Sequence, residues 1–135
     1  MASDIIVDAS ATAAWIFDDE NSPYADAVFD LVKTGGALVP QFWHIEMRNV
    51  LLSGERRNRI SAPEADRHLA NLLALRLRTD NGLDLAAAFV LARAYSLSFY
   101  DAIYLELALR HNAMLATLDG RLTKAANSEG LFLVV

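Results

Sequence analysis

Cysteine is absent from this 135-residue chain, which excludes a disulfide scaffold and a thiolate metal site. Long apolar runs are missing too. The longest, Leu85 to Ala92, falls far short of the roughly 18 residues that suggest a membrane span. Lysine is scarce: only Lys33 and Lys124 are lysine among 12 basic residues, against 17 acids and a net charge of −5. That balance excludes a protein held on nucleic acid mainly by overall positive charge, because such binding depends on neutralising phosphates. The opening Met-Ala-Ser-Asp has neither a basic n-region nor a secretory hydrophobic stretch, so a cytoplasmic location without membrane association is expected. No internal repeat, low-complexity tract or linker interrupts the chain.

What is present is the composition of a folded domain, 54% hydrophobic and 21% charged. The length suits a single domain over residues 1–135 around one core. Ile5-Ile6-Val7 reads as a short buried strand ending at Asp8, with a helix from Ala9 to Phe17. Pro23 suits the first turn of a helix running to about Lys33, which Gly35-Gly36 breaks. Ala37 to Val39 is a second strand, and Pro40 opens a long helix to about Arg57. Ser61-Ala62-Pro63-Glu64 combines a cap, an early proline and an acid at the third position, and starts a helix to about Leu75. A connecting piece covers Arg76 to Asn81. Helices follow from Leu83 to Tyr95 and from Ser98 to His111. Ala113 to Leu118 is apolar and of strand length, Leu122 to Asn127 is a short helix, and Leu131 to Val135 closes the chain as a buried strand. Short, wholly apolar strands alternating with helices predict an α/β domain, a parallel-sheet sandwich with helices on both faces.

In such sheets ligands bind beyond the carboxyl ends of the strands. Asp8 and Asp119 each follow an apolar strand and should share that edge, although each also has a local use, as a helix cap and as a turn. Glu46 has Phe42, Trp43, Asn49 and Val50 three and four residues away, and no base among them. A carboxylate so flanked is partly buried, and something positive should lie opposite it. Asp101 fits a capping box with Ser98, yet Tyr104 and Leu105 offer it no base either. Glu106, with Arg110 four residues on, reads instead as an ordinary exposed pair.

Four converging acids could not all stay ionised in a bare pocket. Two carboxylates about 4 Å apart repel by roughly 4 kcal/mol at an effective dielectric near 20. Oxygen ligands without His or Cys favour hard cations, Mg²⁺ or Mn²⁺, the arrangement used for phosphoryl chemistry. Ser10 and Thr117, each two residues from a strand-end aspartate, are candidates to orient the carboxylates. Arg56, Arg57 and Arg59 form a basic stretch that could guide phosphate. His44, His68 and His111 fit no ligand spacing and read as helix residues.

These residues resemble a known family, the PIN-domain ribonucleases, and within it the VapC-type toxins of toxin–antitoxin pairs. Ile6-Val7-Asp8-Ala9-Ser10 is similar to the family's first metal-binding aspartate with its following serine. Glu46-Met47-Arg48-Asn49 resembles its helical glutamate and the asparagine after it. Ser98-Phe99-Tyr100-Asp101-Ala102-Ile103-Tyr104 carries the third acid, and Thr117-Leu118-Asp119-x-x-Leu122 resembles the last. The resemblance implies a Mg²⁺- or Mn²⁺-dependent endoribonuclease with Asp8, Glu46, Asp101 and Asp119 as catalytic metal ligands. It implies Asn49 beside Ser10 and Thr117 as support, an RNA substrate, a homodimer, and a small antitoxin partner in a hetero-oligomer. Thr12 reads as a packing residue. Three rivals compete. A signalling receiver domain would need an acid at the end of the second strand, where Val39-Pro40 stands. An aspartate-nucleophile phosphatase expects a second acid where Ser10 stands. A non-catalytic binding module would keep the fold alone.

Overall fold

Four short strands pair side by side, all parallel: β1 (Ile5–Val7), β2 (Ala37–Pro40), β3 (Leu77–Asp80) and β4 (Met114–Ala116), in the order β3-β2-β1-β4. The computed structural model describes residues 4–135. Seven α-helices flank the sheet among the described residues: α1 (Ala9–Ala13), α2 (Pro23–Gly35), α3 (Gln41–Arg56), α4 (Ala62–Leu73), α5 (Leu85–Tyr95), α6 (Phe99–His111) and α7 (Gly120–Ser128). The α/β sandwich expected from the alternation is therefore the fold. None of these helices is long and apolar enough to cross a membrane.

Local signals place most boundaries. Ser22 accepts a hydrogen bond from the Ala25 N–H ahead of Pro23, starting α2. Ser61 and Glu64 close a reciprocal capping box at α4. Gly36 ends α2 at φ 77°, and a Cβ there would lie 2.4 Å from the Arg76 carbonyl oxygen, so only glycine brings β2 this close to the chain entering β3. Ile6, Val7, Val39 and Leu115 from the sheet are wholly buried against Trp43 and Met47 of α3 and Leu105 of α6.

The sheet departs from the sequence reading at both edges. Residues Arg76 to Asn81 are not merely a connection, because Leu77–Asp80 is a strand in register with Ala37–Pro40. Its residues are half-buried or exposed, so no apolar alternation marked it, and backbone pairing alone makes it a strand. At the other edge, Leu131 to Val135 forms only an isolated bridge, Leu115 to Phe132, in place of a buried strand. The Tyr24 hydroxyl takes the Leu133 carbonyl (2.7 Å), and Val134 beyond it is 78% exposed. β4 also stops earlier than expected, at Ala116 rather than Leu118, and this shapes the candidate site.

Candidate active site

Because every strand is parallel, the carboxyl ends of β1 and β4 share one edge of the sheet. Asp8 leaves β1 there, only 3% exposed. Its Oδ1 accepts from the Ser10 hydroxyl (2.7 Å) and the Ala11 N–H (2.9 Å), and its Oδ2 accepts from the Thr117 hydroxyl (2.5 Å). The cap reading of Asp8 is thus correct without exhausting its role, since the second oxygen is held across the sheet. Burial raises the Asp8 carboxyl to about 6, against the three hydrogen bonds that favour its charge, and the Asp101 charge pushes the same way as burial.

The segment after β4 is shaped around this carboxylate. Thr117 turns its hydroxyl to Asp8 and accepts from the Asp119 N–H (3.0 Å), while Ser10 accepts from the Leu118 N–H (2.9 Å). These side-chain bonds end the ladder at Ala116, so Asp119 lies three residues past the strand and not directly after it. Asp119 caps α7 through Oδ1 and the Leu122 N–H (2.9 Å). Its charge still reaches Asp101. Ser10 and Thr117 therefore hold Asp8, as their spacing indicated. Thr12 donates to the Asp8 backbone carbonyl (2.7 Å) and accepts from the Trp43 indole (3.1 Å), which ties α1 to α3.

Glu46 is half-buried on α3, and among the described residues no base pairs with it. Its Oε1 accepts from the Tyr104 hydroxyl at 2.7 Å. The donor is neutral, because Tyr104 is buried on α6 and its hydroxyl needs a partner there. Burial raises the Glu46 carboxyl, with Asp8 and Asp101 adding repulsion and the Tyr104 bond opposing. Asp101 is raised by burial and by the Asp119 charge. The Ser98 hydroxyl caps α6 by accepting from the Asp101 backbone N–H (3.1 Å), without a return bond from the Ser98 N–H to the Asp101 carboxylate among the described residues. Tyr104 is the site residue that the sequence reading missed. Its position three after Asp101 on the same helix was the available signal.

Among the described residues no Lys, Arg or His forms an ion pair with Asp8, Glu46, Asp101 or Asp119. Their mutual repulsion thus lacks an internal counterion, and the all-oxygen donor set suits a hard divalent cation. No three acidic or histidine side chains among the described residues stand close enough to grip an ion directly. The fit is to a cation that keeps most of its own waters, as Mg²⁺ does. Asn49 is exposed and bonds to none of the four acids. It lines a groove with Ser10 instead. The Arg56–Arg59 stretch is not uniformly free, since Arg59 pairs with Asp19 (2.6 Å) and Glu20 (2.7 Å). Glu106 is not a surface residue. It is 3% exposed, because α5 packs over α6, and Arg110 reaches it from the rim while also binding Asp80.

A family profile described as PIN domain matches residues 5–128, nearly the whole chain and all four acids. This chain belongs to the PIN-domain family. The receiver reading falls with that assignment. Among solved structures, PAE2754 from Pyrobaculum aerophilum is 27% identical, with a TM-score of 0.72 over 93% of this chain and 81% of that one. A toxin–antitoxin complex from Klebsiella pneumoniae aligns at 18% identity and TM-score 0.63, over 98% of this chain and 97% of that one. VapC20 of Mycobacterium tuberculosis, described as a sarcin–ricin loop cleaving toxin, aligns at 16% identity and TM-score 0.61, over 97% and 98%. The latter two share the PIN fold with this chain. No curated protein sequence matches it.

Proposed function

We propose that this PIN domain is a Mg²⁺- or Mn²⁺-dependent endoribonuclease, the toxin of a toxin–antitoxin pair acting in the cytoplasm. The observation that carries the reading is the buried Asp8 carboxylate, fixed by three donors at the sheet edge and repelled by Asp101, with no base paired to either among the described residues. Asp8, Glu46, Asp101 and Asp119 would hold the ion. When bound, it supplies Lewis acidity, activating water and neutralising charge that develops on a phosphodiester. The chain's part is preorganisation. Ser10 and Thr117 fix the Asp8 oxygens, and Tyr104 fixes Glu46. Hydrolysis then adds the elements of water across a P–O bond of RNA.

The same base-free acidic edge suits a guanidinium, which pairs with carboxylates through two donors. A basic residue of a small antitoxin fits there as inhibitor, within a hetero-oligomer built on a homodimer. Total RNA incubated with the purified protein should be cut in Mg²⁺ or Mn²⁺ and spared in EDTA. Intact RNA under every condition would leave only a non-catalytic PIN-fold binding module.

Asp101 gives a test that separates a capping role from a catalytic one, because the two differ in sign. A pure cap predicts that Asp101→Asn loses about 0.3–1 kcal/mol of helix–charge interaction in the metal-free protein. Asp101 is instead raised by burial and by Asp119, so removing its charge relieves repulsion. Melts in EDTA near neutral pH should show the variant as stable as the parent or more so. The stabilisation that Mn²⁺ gives the parent should shrink in the variant, and cleavage should vanish. Lower stability in EDTA with normal cleavage would make Asp101 a cap and nothing more.

A further inference from the structure

Next to the acids, α1 and α3 enclose a groove of about 330 Å³, at the small end of the ligand-pocket range of roughly 300–1,000 Å³. Its inner end is formed by Ser10, bonded to Asp8, and by Asn49, three residues after Glu46 on α3. Its outer end is Arg59, whose guanidinium lies 3.9 Å from the centre of the Phe17 ring. Both ion pairs of Arg59, to Asp19 and Glu20, leave from Nη2. Among the described residues Nε and Nη1 of Arg59, the Ser53 hydroxyl and the Asn49 amide, all at this groove, have no protein hydrogen-bond partner.

Resting on the ribonuclease reading, we propose that this groove holds one nucleobase of single-stranded RNA beside the bond that is cut. The charge balance selects a base over a phosphate. Two carboxylates already neutralise Arg59, so the groove has little pull on a phosphate. A neutral planar ring with polar edges matches what remains. It stacks on the face of the guanidinium turned away from Phe17, and its edge meets the free donors and acceptors of Asn49 and Ser53. The ring would fix which nucleotide flanks the cut, and so contribute specificity.

The test uses the full-length protein, a fluorescein-labelled single-stranded RNA in EDTA for binding, and mapped cleavage of total RNA in Mn²⁺. Arg59→Lys keeps a charge for Asp19 and Glu20 but loses the planar fork, and Ser53→Leu fills the groove from a partly exposed position. Each should weaken RNA binding about tenfold and change the base preferred beside the cut, with melting unchanged. Asp8→Asn is the reference: it should stop cleavage and keep binding. Normal binding and an unchanged cut pattern in both groove variants, with Asp8→Asn inactive, would overturn the groove and leave the ribonuclease reading intact. Loss of antitoxin inhibition with RNA behaviour unaltered would likewise overturn it and give the groove to a protein partner. Intact RNA with the parent protein in Mn²⁺ would overturn the ribonuclease reading, and binding in EDTA would still decide whether RNA uses the groove.

Discussion

Asp8→Asn is expected to abolish RNA cleavage, weaken Mn²⁺ binding and, in the absence of metal, stabilise the protein at neutral pH. The stability gain follows from the direction of the Asp8 shift. Its carboxyl titrates from 3.8 in an unfolded chain to about 6 in the fold, with burial as the leading cause. A group whose folded value is raised favours folding most fully below its unfolded value. That advantage is lost as pH rises through the folded value. Between about pH 4 and pH 6 the metal-free parent should therefore lose stability relative to Asp8→Asn, with no further change above. Two units correspond to about 3 kcal/mol. The measured gain should be about 1–3 kcal/mol, because the new amide must offer N–H to a site lined by the donors Ser10, Ala11 and Thr117. Thermal melts of both proteins in EDTA from pH 4 to 8 read the effect directly. A variant that melts lower than the parent at pH 7.5, or that still cuts RNA, would remove Asp8 from the centre of the site.

The second large effect lies on the other side of β2. Arg110 donates from Nη2 to Asp80 (2.7 Å) and from Nε to the buried Glu106 (2.7 Å), and His111 also contacts Asp80 (2.8 Å). Glu106 in turn accepts from the Asp84 N–H that begins α5 (3.2 Å). One guanidinium thus joins the edge strand β3, the core of α6 and the start of α5. Arg110→Ala leaves two carboxylates together without a cation. Breaking a buried pair in this way costs about 3–5 kcal/mol, and the Arg110 side chain is 31% exposed, so about 2–3 kcal/mol is expected here. For a domain of this size that lowers the melting temperature by roughly 10 °C. Because Asp80 is held well below the usual carboxylate range, chiefly by the Arg110 hydrogen bonds, its contribution is present at neutral pH and is lost as the solution is acidified. The difference between Arg110→Ala and the parent should therefore narrow in strong acid. A melting change under about 2 °C would show the network to be ornamental to stability.

The two networks differ in how far the chain itself disclosed them. Asp8 and Asp119 were visible because they end apolar segments and precede helices, and Asp101 because Tyr104 and Leu105, three and four residues on, offer it no base. Glu46 stood out because its helical neighbours are apolar. All of these signals act over at most four residues, and a helix or strand preserves that spacing in space. The α/β class was readable for the same reason: capping residues, glycine breaks and apolar runs are local. The resemblance to PIN domains rested on those same short segments, and the family match over residues 5–128 agrees with it.

Tertiary structure decided the rest. β3 carries no apolar alternation, and β2 makes it a strand through backbone pairing with a segment forty residues away in sequence. Glu106 has a local pattern that fits a surface pair, and only the packing of α5 over α6 buries it. Tyr104 meets Glu46 across 58 residues of chain, a hydroxyl partner that no neighbour of Glu46 on α3 announces. Even Asp119, legible as an acid near a strand end, takes its place from Thr117 and Ser10 bonding to Asp8 across the sheet. Periodicity and capping determine which residues an element presents on each face. Burial and long-range hydrogen bonds depend on what the folded chain brings against that face, and no window of neighbouring residues contains that information.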